Sequence, residues 1–121
     1  MKEILKAAKA LGDRNRLIAL KALEGRELCV CELIALLRIA PSTVSKHMSI
    51  LADAQLVIGR KQGKWMHYRL NRAARTRPLI RWALNGLADL PDAARDAARM
   101  EKALEKIRNC RVRDSRPAKG M

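Results

Sequence analysis

The stretch PSTVSKHMSIL, residues 41–51, is the part of this sequence that decides the fold. It predicts a helix over residues 41–54, because proline suits the first helical position and apolar side chains recur at spacings of four and three. Those apolar side chains are Val44, Met48 and Leu51. The remaining positions are mostly polar. The pattern is typical of a helix that packs on a core and presents a polar face to solvent or to a partner.

Helical patterns precede this stretch. Apolar spacing predicts a first helix over residues 2–11 and a second helix that Asp13 caps and Gly25 ends. A third helix is predicted at about residues 28–37, followed by a short turn at residues 38–40. Two helices joined by a short turn, the second of them polar on its outer side, are typical of a helix-turn-helix.

The period changes to that of strands after the helix at residues 41–54. Residues 56–61 and 65–70 read as two strands, and residues 62–64 supply the turn between them. The order helix, helix, turn, helix, hairpin predicts a winged helix-turn-helix, a mainly α fold with a β-hairpin wing.

The pattern is helical again beyond residue 71. Apolar side chains mark one helix at residues 79–87 and a last helix at residues 93–107, whose four-three spacing suits packing either within one subunit or between two. Residues 111–121 are basic and have little to bury, so they are predicted to be a disordered tail. The sequence therefore predicts one domain over residues 1–110.

Charge and composition limit the possible functions. The 121 residues carry a formal charge of +14, which favours nucleic acid as a partner. No apolar run approaches a membrane span and the first residues do not resemble a signal peptide, so we expect a cytoplasmic protein with its three cysteines as thiols. No nucleophile–base pair, phosphate loop or paired carboxylate site is visible, so an enzyme is not predicted. An architectural DNA binder without a sensing site is an alternative.

Two sets of side chains are candidates for DNA contact. Hydroxyls near a helix N-terminus and basic side chains can donate hydrogen bonds to phosphates or base edges. The alternative interpretation is that these side chains only form a solvated surface. The helix at residues 41–54 is called the reading helix, and its candidates are Ser42, Thr43, Ser45, Lys46 and His47. The candidates on the wing are Arg60, Lys61, Lys64 and Arg69.

Three segments resemble the ArsR-type metal-sensing repressors: residues 10–17, residues 41–51 and the hairpin at residues 56–70. The resemblance implies a homodimer whose first and penultimate helices form the subunit interface. It also implies repression at an operator in double-stranded DNA and release when an inducer binds. It adds Tyr68 of the wing to the candidates for DNA contact. Ala40 stands where many relatives have a serine cap.

The segment Cys29-Val30-Cys31 resembles the arsenite-sensing version of this family, so trivalent arsenic or antimony is the expected inducer, bound at Cys29 and Cys31. The fuller pattern has a third cysteine where this chain has Ile34. Trivalent arsenic prefers three soft ligands. Cys110, a solvent ligand or buffer thiol, or the carbon of a mono-organic arsenical would each complete the site, and the sequence leaves these alternatives open.

Helical geometry suggests how such a ligand would act. Residues two apart in a regular helix point about 200° from one another, so binding to both thiols is expected to unwind the first turn of the helix that braces the reading helix. The other interpretations are a thiol redox switch and two cysteines that only fill the core. Zinc is less well suited, since His47 and His67 are read as DNA-side or structural residues and not as ligands.

Overall fold

The computed structural model describes residues 1–73, 76–88, 98–99, 101–103 and 105. Five helices and three strands are defined within them. In chain order they are α1 (Lys2–Ala10), α2 (Arg14–Ala22), β1 (Leu28–Cys29), α3 (Val30–Leu37), α4 (Pro41–Asp53), β2 (Val57–Gln62), β3 (Trp65–Leu70) and α5 (Arg77–Ala88).

The starts of α2 and α4 lie where the sequence indicates. Asp13 Oδ1 accepts hydrogen bonds from the backbone N–H groups of Asn15 and Arg16, at 2.8 and 3.2 Å, so the predicted N-cap of α2 is confirmed. Pro41 occupies the first turn of α4, and Ala40 before it supplies no side-chain cap. Between α3 and α4, Arg38 takes the left-handed conformation with φ 55° and ψ 41°, which gives a short turn.

One core lies beneath the helix-turn-helix. The three apolar positions predicted to face inward from α4 are all fully buried. They pack with leucines from α2, α3 and the chain around β2, and the absence of phenylalanine is compatible with this aliphatic core. The largest fully buried side chains are Leu20, Leu23, Leu33, Val44, Met48, Leu51 and Leu56.

The wing is part of a three-stranded antiparallel sheet with the order β1-β3-β2. Gly63 has φ 64° in the turn between β2 and β3, a conformation that glycine adopts without strain. β1 was not foreseen: Leu28 and Cys29 were expected to begin α3, but they pair with Tyr68 and His67 of β3. The prediction was wrong by these two residues, because a two-residue strand is too short to show a period.

Only some of the predictions made for the chain beyond β3 concern residues that the structure describes. α5 confirms the helix expected at residues 79–87, and residues 98–99, 101–103 and 105 are helical. The remaining positions of the predicted last helix, Cys110 and the tail at residues 111–121 lie outside the described residues. Within the described ranges, every helix is too short or too polar to cross a membrane.

Candidate nucleic-acid interface and thiol site

The reading helix α4 presents the polar face that the sequence predicts. Ser42, Thr43, Ser45 and Lys46 are all exposed, while Val44 is fully buried on the opposite side. Three hydroxyls therefore lie in the first turns of a helix, where the N-terminal dipole favours a phosphate. This surface is suited to contact with the DNA backbone or base edges.

His47 does not belong to that surface. Its side chain is buried, so its expected place among the outward DNA contacts is wrong. His47 Nδ1 lies 3.0 Å from Arg16 Nη1. Because a guanidinium only donates hydrogen bonds, Nδ1 is the acceptor and the ring proton of neutral His47 is on Nε2. The interpretation of His47 as a structural residue, also held open by the sequence, fits this position.

Arg16 connects three helices through its buried guanidinium. Its Nε donates to the carbonyl oxygen of Ala10 at 2.7 Å, and its Nη2 donates to that of Lys9 at 3.0 Å. Arg16 therefore binds carbonyl groups at the end of α1 while it also binds His47 of α4. The sequence did not single out this residue, since an arginine in the first turn of a helix gives no signal of a buried partner.

The wing has an exposed basic tip. Arg60, Lys61 and Lys64 are exposed as predicted, and Arg69 is also exposed. Tyr68, by contrast, is buried, so its side chain is not presented on the surface of the wing as the other candidates are.

Packing explains the position of Tyr68. A Cβ atom on Gly59 would lie 2.8 Å from Tyr68 Cε1, so the ring packs closely against a strand residue that has no side chain. Burial also raises the pKa of Tyr68. The phenol is thus part of the packing of the sheet and remains protonated near neutral pH.

Arg60 is held by an acidic residue. Its Nη2 donates to Glu27 Oε1 at 2.6 Å, and its Nε donates to Glu27 Oε2 at 3.3 Å. His67 Nδ1 lies 3.6 Å from the same Oε1. The hydrogen bond from Arg60 is the main cause that lowers the pKa of Glu27. No local pattern connects Glu27 with the wing, because the connection depends on the pairing of β1 with β3.

The two cysteines lie at the start of α3. Cys29 is the buried N-cap, with φ −88° and ψ 165°, and Cys31 is exposed in the first turn. Cys29 forms a capping box with Glu32: the Cys29 thiol faces the backbone N–H of Glu32, and Glu32 Oε1 accepts from the Cys29 N–H at 2.8 Å. The spacing Cys29-x-x-Glu32 is a sequence signal for this cap. It is easily missed because cysteine stands in the place of serine.

The environment of Cys29 favours the neutral thiol. Burial raises the pKa of Cys29 to about 12, and the side-chain hydrogen bond with Cys31 and the nearby carboxylate of Glu32 act in the same direction. The two thiols are therefore close enough to influence each other's ionisation. A ligand that binds both must displace their protons.

The position of Cys29 corrects the geometric expectation. Cys29 and Cys31 were expected to point apart because both were placed inside a regular helix. Cys29 instead precedes the helix in an extended conformation, so the two residues are not related by regular helical geometry.

Among the described residues, no third protein ligand lies beside this pair. Ile34, one turn after Cys31, is partly buried and packs on the core. Within residues 1–73, 76–88 and the few described positions beyond them, no group of three His, Cys, Asp or Glu side chains could hold a metal ion. The donor set therefore suits a thiophilic species that accepts two sulfur ligands, and Cys110 lies outside the described residues.

Comparison with known proteins places this architecture in a family. Residues 13–58 match the family described as bacterial regulatory protein, arsR family. The chain is 40% identical over 72 residues to an arsenical resistance operon repressor of Staphylococcus aureus, covering 60% of this chain and 69% of that protein. It is 45% identical over 64 residues to the arsenical resistance operon repressor of Escherichia coli, covering 52% of this chain.

The length of the matches differs among relatives. The chain spans a little over half, 55%, of the Escherichia coli protein. Among solved structures, it resembles the homodimeric winged helix-turn-helix DNA-binding domain of a possible ArsR-family regulator from Mycobacterium bovis, with a TM-score of 0.62 and 24% identity. That similarity covers 73% of this chain and 80% of the other, and it confirms the winged helix-turn-helix fold.

These relatives are named as repressors and regulators, so the prediction that the chain is not an enzyme is confirmed. The matched segment includes α2, β1, α3 and the reading helix α4, and therefore also both thiols. The chain belongs to the ArsR family of bacterial regulatory proteins.

Proposed function

We propose that this protein is a homodimeric repressor that binds operator DNA and is released when trivalent arsenic binds Cys29 and Cys31. The observation that carries the proposal is the position of both thiols at the start of α3, one on the N-cap and one in the first turn of the helix that packs against the reading helix α4. The names of the Staphylococcus aureus and Escherichia coli relatives support an arsenical as the inducer.

DNA binding is supported by charge and shape together. The chain carries +14, and its exposed hydroxyls and Lys46 lie at the N-terminal part of α4. The exposed wing residues Lys61 and Lys64 extend the basic surface. A helix for the groove and a basic hairpin for the flanking phosphates are the elements that a winged helix-turn-helix brings to duplex DNA. A protein with these tasks and with free thiols fits the reducing cytoplasm.

Dimerisation is supported by apolar side chains that the single chain leaves in solvent. Ile4 and Leu5 of α1 are 71% and 60% exposed, and Trp82 of α5 is 71% exposed. Large apolar side chains exposed on two helices are typical of a surface that a partner covers. These are the first and penultimate helices that the family resemblance assigns to the subunit interface, and the Mycobacterium bovis domain is described as homodimeric.

Arsenic would bind by replacing the thiol protons. For arsenite, each As–S bond forms as an As–O bond breaks, and the displaced hydroxyl leaves as water with the proton of the thiol. Two such exchanges join Cys29 and Cys31 to one arsenic atom and leave its third position for a further ligand. The exposure of Cys31 supports it as the first thiol to react, and the second exchange, with Cys29 two residues earlier, is then intramolecular.

Release of DNA would begin at the cap of α3. The Cys29 thiol faces the backbone N–H of Glu32, and an arsenic atom bonded to that sulfur draws it away from the helix end. The first turn of α3 then loses a cap, which costs about 1 kcal/mol of helix stability. Because α3 packs on α4, the change reaches the side chains that face the DNA.

A mobility shift with several inducers tests the proposal. The probe is a duplex that the native protein selects from a random pool, and arsenite, antimonite, a methylated arsenical, cadmium and peroxide are added in turn. We expect arsenite and antimonite to release the native protein. Cys29→Ser and Cys31→Ser should bind the duplex but stay bound with arsenite. Equal release of the native protein and both variants would reject the two cysteines as the sensing site.

A thiol redox switch is the second candidate. The observation that favours it is an exposed thiol, Cys31, with a second thiol, Cys29, at the same helix end. Release by peroxide but not by arsenite in the same mobility shift would favour this function over arsenic sensing.

A further inference from the structure

The segment that carries Cys29 also reaches the wing. Cys29 lies opposite His67 in the pairing of β1 with β3, and Arg60 lies opposite His67 in the pairing of β2 with β3. Residues directly opposite one another on antiparallel strands share a face of the sheet. The three side chains therefore form one row, with the wing arginine two strands away from the thiol.

Glu27 lies next to this row because it comes immediately before β1. Its two carboxylate oxygens accept from Arg60 Nη2 and Nε at 2.6 and 3.3 Å, so the pair is bidentate. The side chain of Arg60 is 52% exposed and that of Glu27 is 29% exposed. The guanidinium is thus bound at one edge but remains accessible from solvent.

The edge of a guanidinium that binds a carboxylate can also bind a phosphate. Arginine binds carboxylate and phosphate with the same parallel pair of N–H donors. While Glu27 accepts from Nε and Nη2 of Arg60, these two donors are not available to DNA. An ion pair with this exposure is weak enough for a phosphate to replace the carboxylate.

We propose that the Glu27 carboxylate competes with DNA phosphate for the guanidinium of Arg60 and thereby limits the affinity of the wing for DNA. This inference rests on the proposed function, since it requires that the wing contacts DNA. It makes Glu27 a positioning residue, which acts through Arg60 and does not itself touch the nucleic acid.

Four variants of the full chain test the competition: Glu27→Gln, Arg60→Gln, the double variant, and Glu24→Gln as a matched control. Glu24 is exposed, lies three residues earlier and is paired with Lys21 Nζ at 2.8 Å, so its substitution removes the same charge away from the wing. The dissociation constant is measured by fluorescence anisotropy with a duplex selected by the native protein, at several salt concentrations.

We expect Glu27→Gln to tighten DNA binding by about twofold to fivefold, the fold-change that corresponds to an exposed ion pair. Glu24→Gln should have a clearly smaller effect. In the Arg60→Gln background, Glu27→Gln should give no further gain, because no guanidinium is left to be released. Starting from Glu27→Gln, the added loss of Arg60 should reduce the slope of log affinity against log salt by about 0.9, one phosphate contact.

Three results would overturn the inference: weaker DNA binding by Glu27→Gln, a gain equal to that of Glu24→Gln, or a gain that persists without Arg60. A purely structural role for Glu27 would appear as weaker binding together with a lower melting temperature, which is recorded for every variant. Failure of the proposed function looks different, because the native protein would then select no duplex at all.

Discussion

Arg16 Nη1 donates a hydrogen bond to His47 Nδ1 over 3.0 Å, and this bond joins two segments that resemble the ArsR family. Arg16 lies at the start of α2, and His47 lies on the buried side of α4. The reading helix is therefore fixed to the carbonyl groups at the end of α1 through one buried guanidinium. If α1 forms the dimer interface as proposed, this bond ties the orientation of α4 to the partner subunit.

Replacing His47 should destabilise the fold. His47→Ala removes the acceptor for a buried guanidinium N–H, and we expect a loss of about 1–3 kcal/mol in the free energy of unfolding. Urea denaturation measures this loss. His47→Asn should recover part of it, since an amide oxygen can stand near the position of Nδ1. Equal stability of His47→Ala and the native protein would contradict the structural role of the bond.

Lys46, the preceding residue, should show the opposite behaviour. It is exposed on the predicted DNA face, so Lys46→Ala should change the free energy of unfolding by less than about 0.5 kcal/mol. It should also weaken DNA binding and reduce the salt slope by about 0.9 if its ammonium meets one phosphate. Anisotropy titrations at several salt concentrations check this, and an unchanged affinity would exclude Lys46 from the interface.

The cap of α2 should make stability depend on pH. Partial burial would raise the pKa of Asp13, but hydrogen bonds from the backbone N–H groups of Arg16 and Asn15 outweigh it and hold the pKa below 3.8. A carboxyl whose pKa is lowered in the folded state stabilises that state. The stabilisation is complete at pH values above the pKa of the unfolded state. That stabilisation is lost as the pH falls through the folded value.

Urea denaturation of Asp13→Asn between pH 2 and pH 7 measures this contribution. Asparagine keeps the cap but cannot ionise, so the variant should lose less stability on acidification than the native protein. Parallel pH profiles for the two proteins would show that Asp13 does not provide the expected stabilisation.

The two thiols should react at different rates. Cys29 is buried and its pKa is raised to about 12, whereas Cys31 is exposed. In a Cys110→Ser background, iodoacetamide at pH 8 should modify Cys31 first, because only an accessible thiolate is alkylated. Peptide mass spectrometry over time identifies the modified residue. Modification of Cys29 at the same rate as Cys31 would contradict the buried cap.

A third thiol should strengthen arsenic binding. Ile34 is partly buried one turn after Cys31, on the same side of α3, and it stands where the arsenite-sensing pattern that this segment resembles would place a third cysteine. We expect Ile34→Cys to increase the affinity for arsenite by about tenfold or more, as a third soft ligand replaces a solvent ligand. Competition with a dithiol chelator measures the change. An unchanged affinity would mean that this position does not face the bound arsenic.

The helices and the hairpin were predictable because their signals are local. Capping by Asp13, proline at the start of α4 and the apolar spacing of Val44, Met48 and Leu51 act within a few residues. The exposed hydroxyls of α4 followed from the same periodicity. The features that the sequence did not reveal depend on pairing between distant segments.

β1 is the clearest example of such a feature. Its two residues are a strand only because β3 lies beside them, and this pairing brings Glu27 to Arg60 and makes Cys29 a cap instead of a helical residue. His47 was expected on the DNA side because polar side chains usually face solvent, and Tyr68 because of the family resemblance. Each has a buried environment instead, provided by Arg16 and by Gly59 respectively.

The central claim is that arsenic bound to Cys29 and Cys31 weakens DNA binding. The most direct test measures the dissociation constant of the selected duplex with and without saturating arsenite, for the native protein and for Cys29→Ser. The account predicts an increase of about tenfold or more for the native protein, as for a coupling free energy of about 1.4 kcal/mol or more. It predicts no change for Cys29→Ser. The same increase in both proteins, or no increase in the native protein, would contradict it.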